Sequence, residues 1–287
     1  MPPRILLVLA AMTAPLQADV VRVSGSATMA RAVQAASSVI KEQIGAEMQF
    51  DTQGGSSAAL QALGQEAADL ALVTREVTSE DRAQFPSHRL FDVEIGVQIL
   101  VPIVSRETWD AGVKSIKKDD FVAIYEGDVR NWKQLGMEDR AIKFYNPEAG
   151  RGVWELFVGW LYGDIRKAPL GKKWDKVASS QAARDSVEFN QGSISIVSPH
   201  WVDGKRVVAL SVQESDGTEI APTPENFHSR KWPMNRPLFL VTADKPTGTI
   251  RKIFEIMVEA PGQEALKKVD YLPNPNAEAK LREMLRR

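Results

Sequence analysis

Asp19-Val20-Val21-Arg22-Val23-Ser24-Gly25-Ser26-Ala27-Thr28-Met29-Ala30-Arg31-Ala32-Val33-Gln34 changes character in its middle. Val20, Val21 and Val23 read as a buried strand, Ser24-Gly25-Ser26 interrupts it, and from Thr28 the pattern turns Ala-rich and helical. A strand that turns through Gly and Ser straight into a helix aims unpaired backbone N–H groups and the positive end of the helix dipole at one place, the outline of an oxyanion site. Two further stretches repeat the design: Gly54-Gly55-Ser56-Ser57-Ala58-Ala59-Leu60 and Gly150-Arg151-Gly152-Val153-Trp154-Glu155-Leu156-Phe157. Taken singly, Ser24, Ser26, Thr28, Ser56 and Ser57 read equally as helix caps, and the glycines as turn formers. The recurrence is what points to a shared site.

Outward from the first junction, Ala30–Gln43 predicts an amphipathic helix ended by Gly45, Glu47–Asp51 a strand, Gly54–Leu63 a turn and helix, and Ala68–Val73 a buried strand ending at Thr74-Arg75. Strand, helix, strand, helix, strand implies a parallel sheet whose carboxyl-end loops face one crevice. Val93–Val104, with Pro102 inside it, reads as one strand crossing to a second lobe. There Asp119–Tyr125 is a helix, Ile142–Tyr145 a strand feeding the third junction, Trp154–Tyr162 and Ala182–Asn190 are helices, and Gly192–Val197 is a turn and strand. Val207–Leu210 reads as a strand returning to the first lobe. The Pro-rich segment 221–233 reads as a loop with one short helix, Arg236–Val241 as a strand, and Ile250–Val258, Glu264–Val269 and the charged tail as helices.

The 287 residues, 44% apolar and 25% charged, are those of a globular protein with room for two medium lobes. A formal net charge of −1 argues against a nucleic-acid binder, and any anion site must be built locally. Arg4, the short apolar run Ile5–Met12 and Pro15-Leu16-Gln17-Ala18 predict an export signal over residues 1–18. With no cysteine, neither disulfides nor a lipid-bearing N-terminal Cys is expected, so the reading is a periplasmic protein without a lipid anchor. His88, His200 and His228 lack ligand spacing, so no metal and no cofactor is expected. No nucleophile–base pair stands out, so no catalytic residue is named and the protein is read as no enzyme. Trp132, Trp154, Trp160 and Trp174 read as packing residues.

In this order and spacing, several segments resemble the phosphate-binding proteins of bacterial ABC importers. They are Ser24-Gly25-Ser26-Ala27-Thr28, Gly55-Ser56-Ser57, Ala68-Asp69-Leu70 with Thr74-Arg75, Phe121–Gly127 with Asn131-Trp132-Lys133, Gly150-Arg151-Gly152, Gly192-Ser193-Ile194, Ala221–Asn226, Arg236-Pro237-Leu238 and Pro261-Gly262-Gln263. The resemblance covers nearly the whole chain after residue 18. It implies the two-lobed α/β type II periplasmic binding-protein fold, each lobe a mixed, mainly parallel sheet flanked by helices. Residues 19–101 would begin lobe I, 102–205 form lobe II, and 206–287 complete lobe I. The lobes would close over phosphate or a related oxyanion, and the protein, a monomer, would deliver it to the membrane subunits of an ABC importer. The ligand-binding set this implies is Ser26, Thr28, Met29, Ser56, Ser57, Thr74, Arg75, Gly150, Arg151 and Gly152, although Arg75 stands where the family more often supports a loop.

The third junction departs from the family's pattern of an Arg, three residues, then Ser-Gly-Thr. Here the Arg position falls on Pro147, the Ser on Arg151 and the Thr on Val153. Either Arg151 supplies a cation from a new direction, or the pocket is degenerate and the scaffold serves as a sensor or interaction protein; a phosphate-ester hydrolase is the remaining alternative. Thr74, where some members carry Asp, implies weaker discrimination against sulfate.

Overall fold

The computed structural model describes residues 19–149, 152–169 and 174–286. The expected export signal therefore lies outside the described residues. The chain opens β1 (Val20–Gly25), α1 (Ala27–Ala35), α2 (Ser37–Ile44), β2 (Glu47–Asp51), α3 (Gly55–Gly64), β3 (Leu70–Val73), α4 (Ser79–Ala83) and β4 (Phe91–Ile99). A long middle part follows: β5 (Val101–Ser105), α5 (Arg106–Asp110), β6 (Ser115–Lys117), α6 (Lys118–Glu126), β7 (Lys143–Pro147), α7 (Gly152–Tyr162), β8 (Asp175–Val177), α8 (Ser180–Phe189), β9 (Ser193–Val197), β10 (Val207–Ala209), β11 (Ser211–Gln213), β12 (Glu219–Ile220) and α9 (Pro224–His228). It ends with β13 (Asn235–Thr242), α10 (Gly248–Val258), α11 (Ala260–Lys268), β14 (Leu272–Pro273) and α12 (Ala277–Arg286).

The opening stretch folds as its residues dictate. In β1, Val21 and Val23 face the core while Arg22 points out to Asp69. Gly25 then adopts φ +140°, and a Cβ there would stand 2.2 Å from the Leu72 carbonyl oxygen, so only glycine lets β1 leave the sheet here. The Ser26 N–H donates to that same oxygen at 2.9 Å, and α1 starts at the next residue.

Two sheets carry the architecture. The first runs β14-β4-β13-β3-β1-β2, with β1 parallel to both β2 and β3 and β13 antiparallel to β3 and β4. The carboxyl ends of β1 to β4 and the start of β13 consequently share one edge. The second runs β10-β5-β9-β7-β8, and β7, which leads to α7, is parallel to β8 and β9. A small third sheet joins β12, β11 and β6. One core surrounds the second sheet, rich in Phe121, Phe144, Phe157 and Trp132, and two others cover the faces of the first. The four tryptophans expected to pack do so with their indole N–H groups paired: Trp132 to the Gly192 carbonyl, Trp154 to the Tyr125 hydroxyl, Trp160 to Glu214 and Trp174 to the Tyr125 carbonyl.

The structure departs from the sequence reading in three places. The expected helix over Ala30–Gln43 is two helices, broken at Ala36, where the Ser37 hydroxyl bonds back to the Val33 carbonyl. The apolar run Val93–Val104 is two strands, β4 in the first sheet and β5 in the second, with the change of sheet at Leu100. Val207–Ala209 does not return to the first sheet but pairs antiparallel with β5. The return comes at Asn235, beside the crossing: the Leu100 N–H bonds the Met234 carbonyl and the Trp232 indole bonds the Leu100 carbonyl. We therefore assign 19–99 and 235–286 to one lobe and 101–234 to the other. As the sequence reading has it, Val153 packs on the core of the second sheet and shares a small apolar cleft with Pro147, so neither residue supplies the polar group the family carries at its position.

Candidate functional site

The strand-end edge of the first lobe and the start of α7 in the second come into direct contact. On the first-lobe side α1 and α3 begin at Ser26 and Gly54, and neither residue caps its helix with a side-chain bond; neither helix carries an acid in its first turn. Thr28, one residue into α1, is 3% exposed. Gly152 begins α7, and a Cβ on it would lie 3.2 Å from the Thr28 hydroxyl oxygen and 3.3 Å from Gln98 Nε2. Glycine at this position thus permits a close approach of the two lobes.

Glu155, in the first turn of α7, reaches into the same place. Its Oε2 accepts from the Thr28 hydroxyl at 3.3 Å and lies 3.6 Å from Arg236 Nη1, which itself donates to Thr28 Oγ1 at 3.0 Å. Arg236 comes from the first residues of β13 and stands directly opposite Gln98 of β4 in the ladder, so the two side chains share a face. Burial depresses the Arg236 pKa below the ordinary guanidinium value, and the charge of Glu155 and the Tyr271 side chain partly offset that effect. Tyr271 donates its hydroxyl to the Thr28 carbonyl at 2.8 Å; burial pushes its phenol up to about 12, so it remains a donor. Gln98 is 1% exposed, and its Oε1 has no hydrogen-bond partner.

The remaining expected residues divide. Ser56 and Thr74 form a second group on the first-lobe side, with the Thr74 N–H donating to Ser56 Oγ at 3.1 Å. Ser57 accepts from Arg75 at 3.4 Å, but the guanidinium of Arg75 is committed to Asp81, to which Nη2 donates at 2.9 Å. That pairing, with bonds from Thr78, holds the Asp81 carboxyl down at about 2 against the effect of its burial, and it closes the loop leading into α4. Arg75 thus supports a loop here. The Met29 side chain is wholly buried in the first-lobe core, so only its backbone is near the junction. Ser26 is half-buried beside the first junction. Gly150 and Arg151 lie outside the described residues.

Arg236, Gln98, Glu155 and Tyr271 were not singled out from the sequence. Arg236 carried the strongest signal, a cation opening an apolar strand; Glu155 looked like an ordinary first-turn acid. Gln98 and Tyr271 gave none. Among the described residues, no cluster of His, Asp or Glu is arranged to hold a metal ion, and no helix is long and apolar enough to cross a membrane.

A family model described as the PBP superfamily domain matches residues 12–264. The chain is 26% identical over 236 residues to the phosphate-binding protein PstS of Bacillus subtilis, covering 82% of this chain and 74% of that protein. Among solved structures, one described as a possible phosphate binding protein from Planctomyces limnophilus has a TM-score of 0.82 at 14% identity, covering 94% of this chain and 98% of that one. An ABC-type phosphate transport receptor from Vibrio cholerae has a TM-score of 0.65 at 20% identity, covering 89% and 100%. At such identities the structures establish the two-lobed α/β fold and the family model establishes the kinship: the chain belongs to the PBP superfamily.

Proposed function

We propose that the protein is an extracytoplasmic substrate-binding protein that captures phosphate or a similar tetrahedral oxyanion between its lobes and delivers it to an ABC importer. One observation carries the reading. Thr28 and Arg236 from one lobe and the start of α7 from the other converge on a single spot. Donors fixed in this way are what make burial of a small anion tolerable. Arg236 takes the part of the guanidinium missing at Pro147, from the opposite lobe. Ser56 and Thr74 extend the donor set along the same strand-end edge. Binding closes the lobes because each holds part of the set, and the ion leaves unchanged. The names of the relatives, phosphate-binding protein and phosphate transport receptor, support the ligand class. Export through residues 1–18, release without a lipid anchor and action as a monomer belong to the same proposal.

A second reading, a non-transport sensor or interaction protein, is favoured by the Glu155 carboxylate resting on Thr28 and Arg236. A thermal-shift screen of the protein from Asp19 onward against phosphate, arsenate, sulfate and molybdate decides between them. Stabilisation by phosphate, with sulfate within a modest factor as Thr74 implies, supports transport. No shift with any oxyanion supports the second reading.

A further inference from the structure

Glu155 is the one acid that the three glycine-marked helix starts carry into the contact between the lobes: α1 and α3 have none in their first turns. Its Oε2, Thr28 Oγ1 and Arg236 Nη1 form a triangle with sides of 3.0, 3.3 and 3.6 Å, drawn from both lobes. The contact is an intramolecular copy of the bond an oxyanion makes there: an anionic oxygen accepting from the hydroxyl and facing the guanidinium. The copy is incomplete. Gln98, opposite Arg236 in the ladder and against Gly152, retains an unpartnered Oε1 although fully buried. That oxygen is an acceptor, so the seat lacks a donor there, and an occupant that carries a proton as well as negative charge, such as hydrogen phosphate, would satisfy it where one carboxylate does not.

We infer that Glu155 is the resident anion of the cleft: in the unliganded protein its carboxylate occupies the ligand's place on Thr28 and Arg236, and an entering oxyanion must displace it. This rests on the oxyanion reading of the site. The tether gives the carboxylate a high effective concentration. A singly charged, weakly held ion such as acetate or nitrate fails to dislodge it, whereas a doubly charged tetrahedral ion gains the Gln98 amide and a stronger pull from Arg236. Glu155 thus sets a threshold of charge and shape on what the cleft accepts, and it lowers affinity for every anion that passes.

Two variants test this, and they separate it from the oxyanion reading. E155Q keeps the shape and removes the charge; E155A empties the place. Phosphate titrated calorimetrically into E155Q should bind roughly tenfold or more tighter than into the wild-type protein, the usual size of a coupling between two occupants of linked sites. Acetate or formate should raise the melting temperature of E155A and leave that of the wild type unmoved, because the slot fits a carboxylate. Phosphate affinity that is equal or weaker in E155Q overturns the inference; a weaker value means the carboxylate serves the ligand instead of opposing it. Phosphate binding equal in all three proteins with no acetate effect also overturns it, while leaving the oxyanion reading standing. Acetate rescue of E155A without phosphate binding to any of them upholds the resident carboxylate and overturns the phosphate reading.

Discussion

Gly152→Ala probes the closing of the lobes with a single methyl group. The new Cβ would meet Thr28 Oγ1 at 3.2 Å, Thr28 Cγ2 at 3.3 Å and Gln98 Nε2 at 3.3 Å. All belong to the opposite lobe, and Thr28 and Gln98 are buried against their own. The shortfall from ordinary contact is a few tenths of an ångström, which places the cost at the lower end of the range for overpacking, about 1–1.5 kcal/mol. Any form in which α7 rests on Thr28 bears that cost; the unliganded protein escapes it by opening and giving up the Glu155 contact, whereas the phosphate-bound form cannot. Alanine also favours α7 by up to about 1 kcal/mol over glycine, equally in open and closed forms. The substitution should therefore leave the melting temperature of the unliganded protein level or slightly raised, and weaken phosphate binding roughly tenfold. Gly159→Ala, in the same helix but with no neighbour nearer than Ile165 Cγ2 at 4.0 Å, is the control: it should raise the melting temperature and leave affinity unchanged. Titration calorimetry and thermal melts on the two variants read both quantities. Wild-type affinity in Gly152→Ala would refute the reasoning, because the bound form would then not bring α7 against Thr28.

Arg236→Ala should abolish measurable phosphate binding in the same titration, and Arg236→Lys should restore only part of it, because a point charge cannot span Thr28 and the ligand as a fork does. Gly25→Ala should cost more than about 3 kcal/mol in urea unfolding or prevent folding, since it combines φ +140° with a Cβ 2.2 Å from a backbone oxygen. Asp81→Asn removes a carboxyl whose pKa is about 2 in the folded protein, held there first by Arg75. A depressed carboxyl stabilises above its unfolded value of about 3.9, and that contribution is lost as pH falls through the folded one. Wild type should exceed the variant by about 1 kcal/mol at neutral pH, screening at the half-exposed Arg75 included, and the gap should close between about pH 4 and pH 2 in acid unfolding curves.

The legible parts of the molecule were those fixed by neighbours in sequence. Gly25, Gly54 and Gly127 announce backbone turns that only glycine makes easily, and the helix and strand starts around them follow. Leu100 was illegible because β4 and β5 are both buried, so an unbroken apolar run conceals the change of sheet. The break at Ala36 rests on the back-bonding of Ser37, which lies inside a pattern that otherwise continues a helix. The site was legible only in its glycine-marked half. Arg236 reaches Thr28 across 208 positions through the placement of β13, and Glu155 reaches it across 127 from the other lobe. No spacing rule spans such distances; tertiary pairing alone creates the triangle.

The position of β13 has a consequence for how the chain assembles. It lies between β3 and β4, near the middle of the first sheet, yet it is made only after residues 101–234. The sequence up to β4 thus emerges as a three-stranded fragment, β2-β1-β3, and the lone strand β4, lacking the strand that joins them, with Val73 and Gly96 denied their partners Phe239 and Leu238. The inserted lobe is contiguous and owes its own sheets nothing from outside, so it is free to fold first and bring the two fragments' missing strand home. Destabilising that insert would delay the amino-terminal half as well.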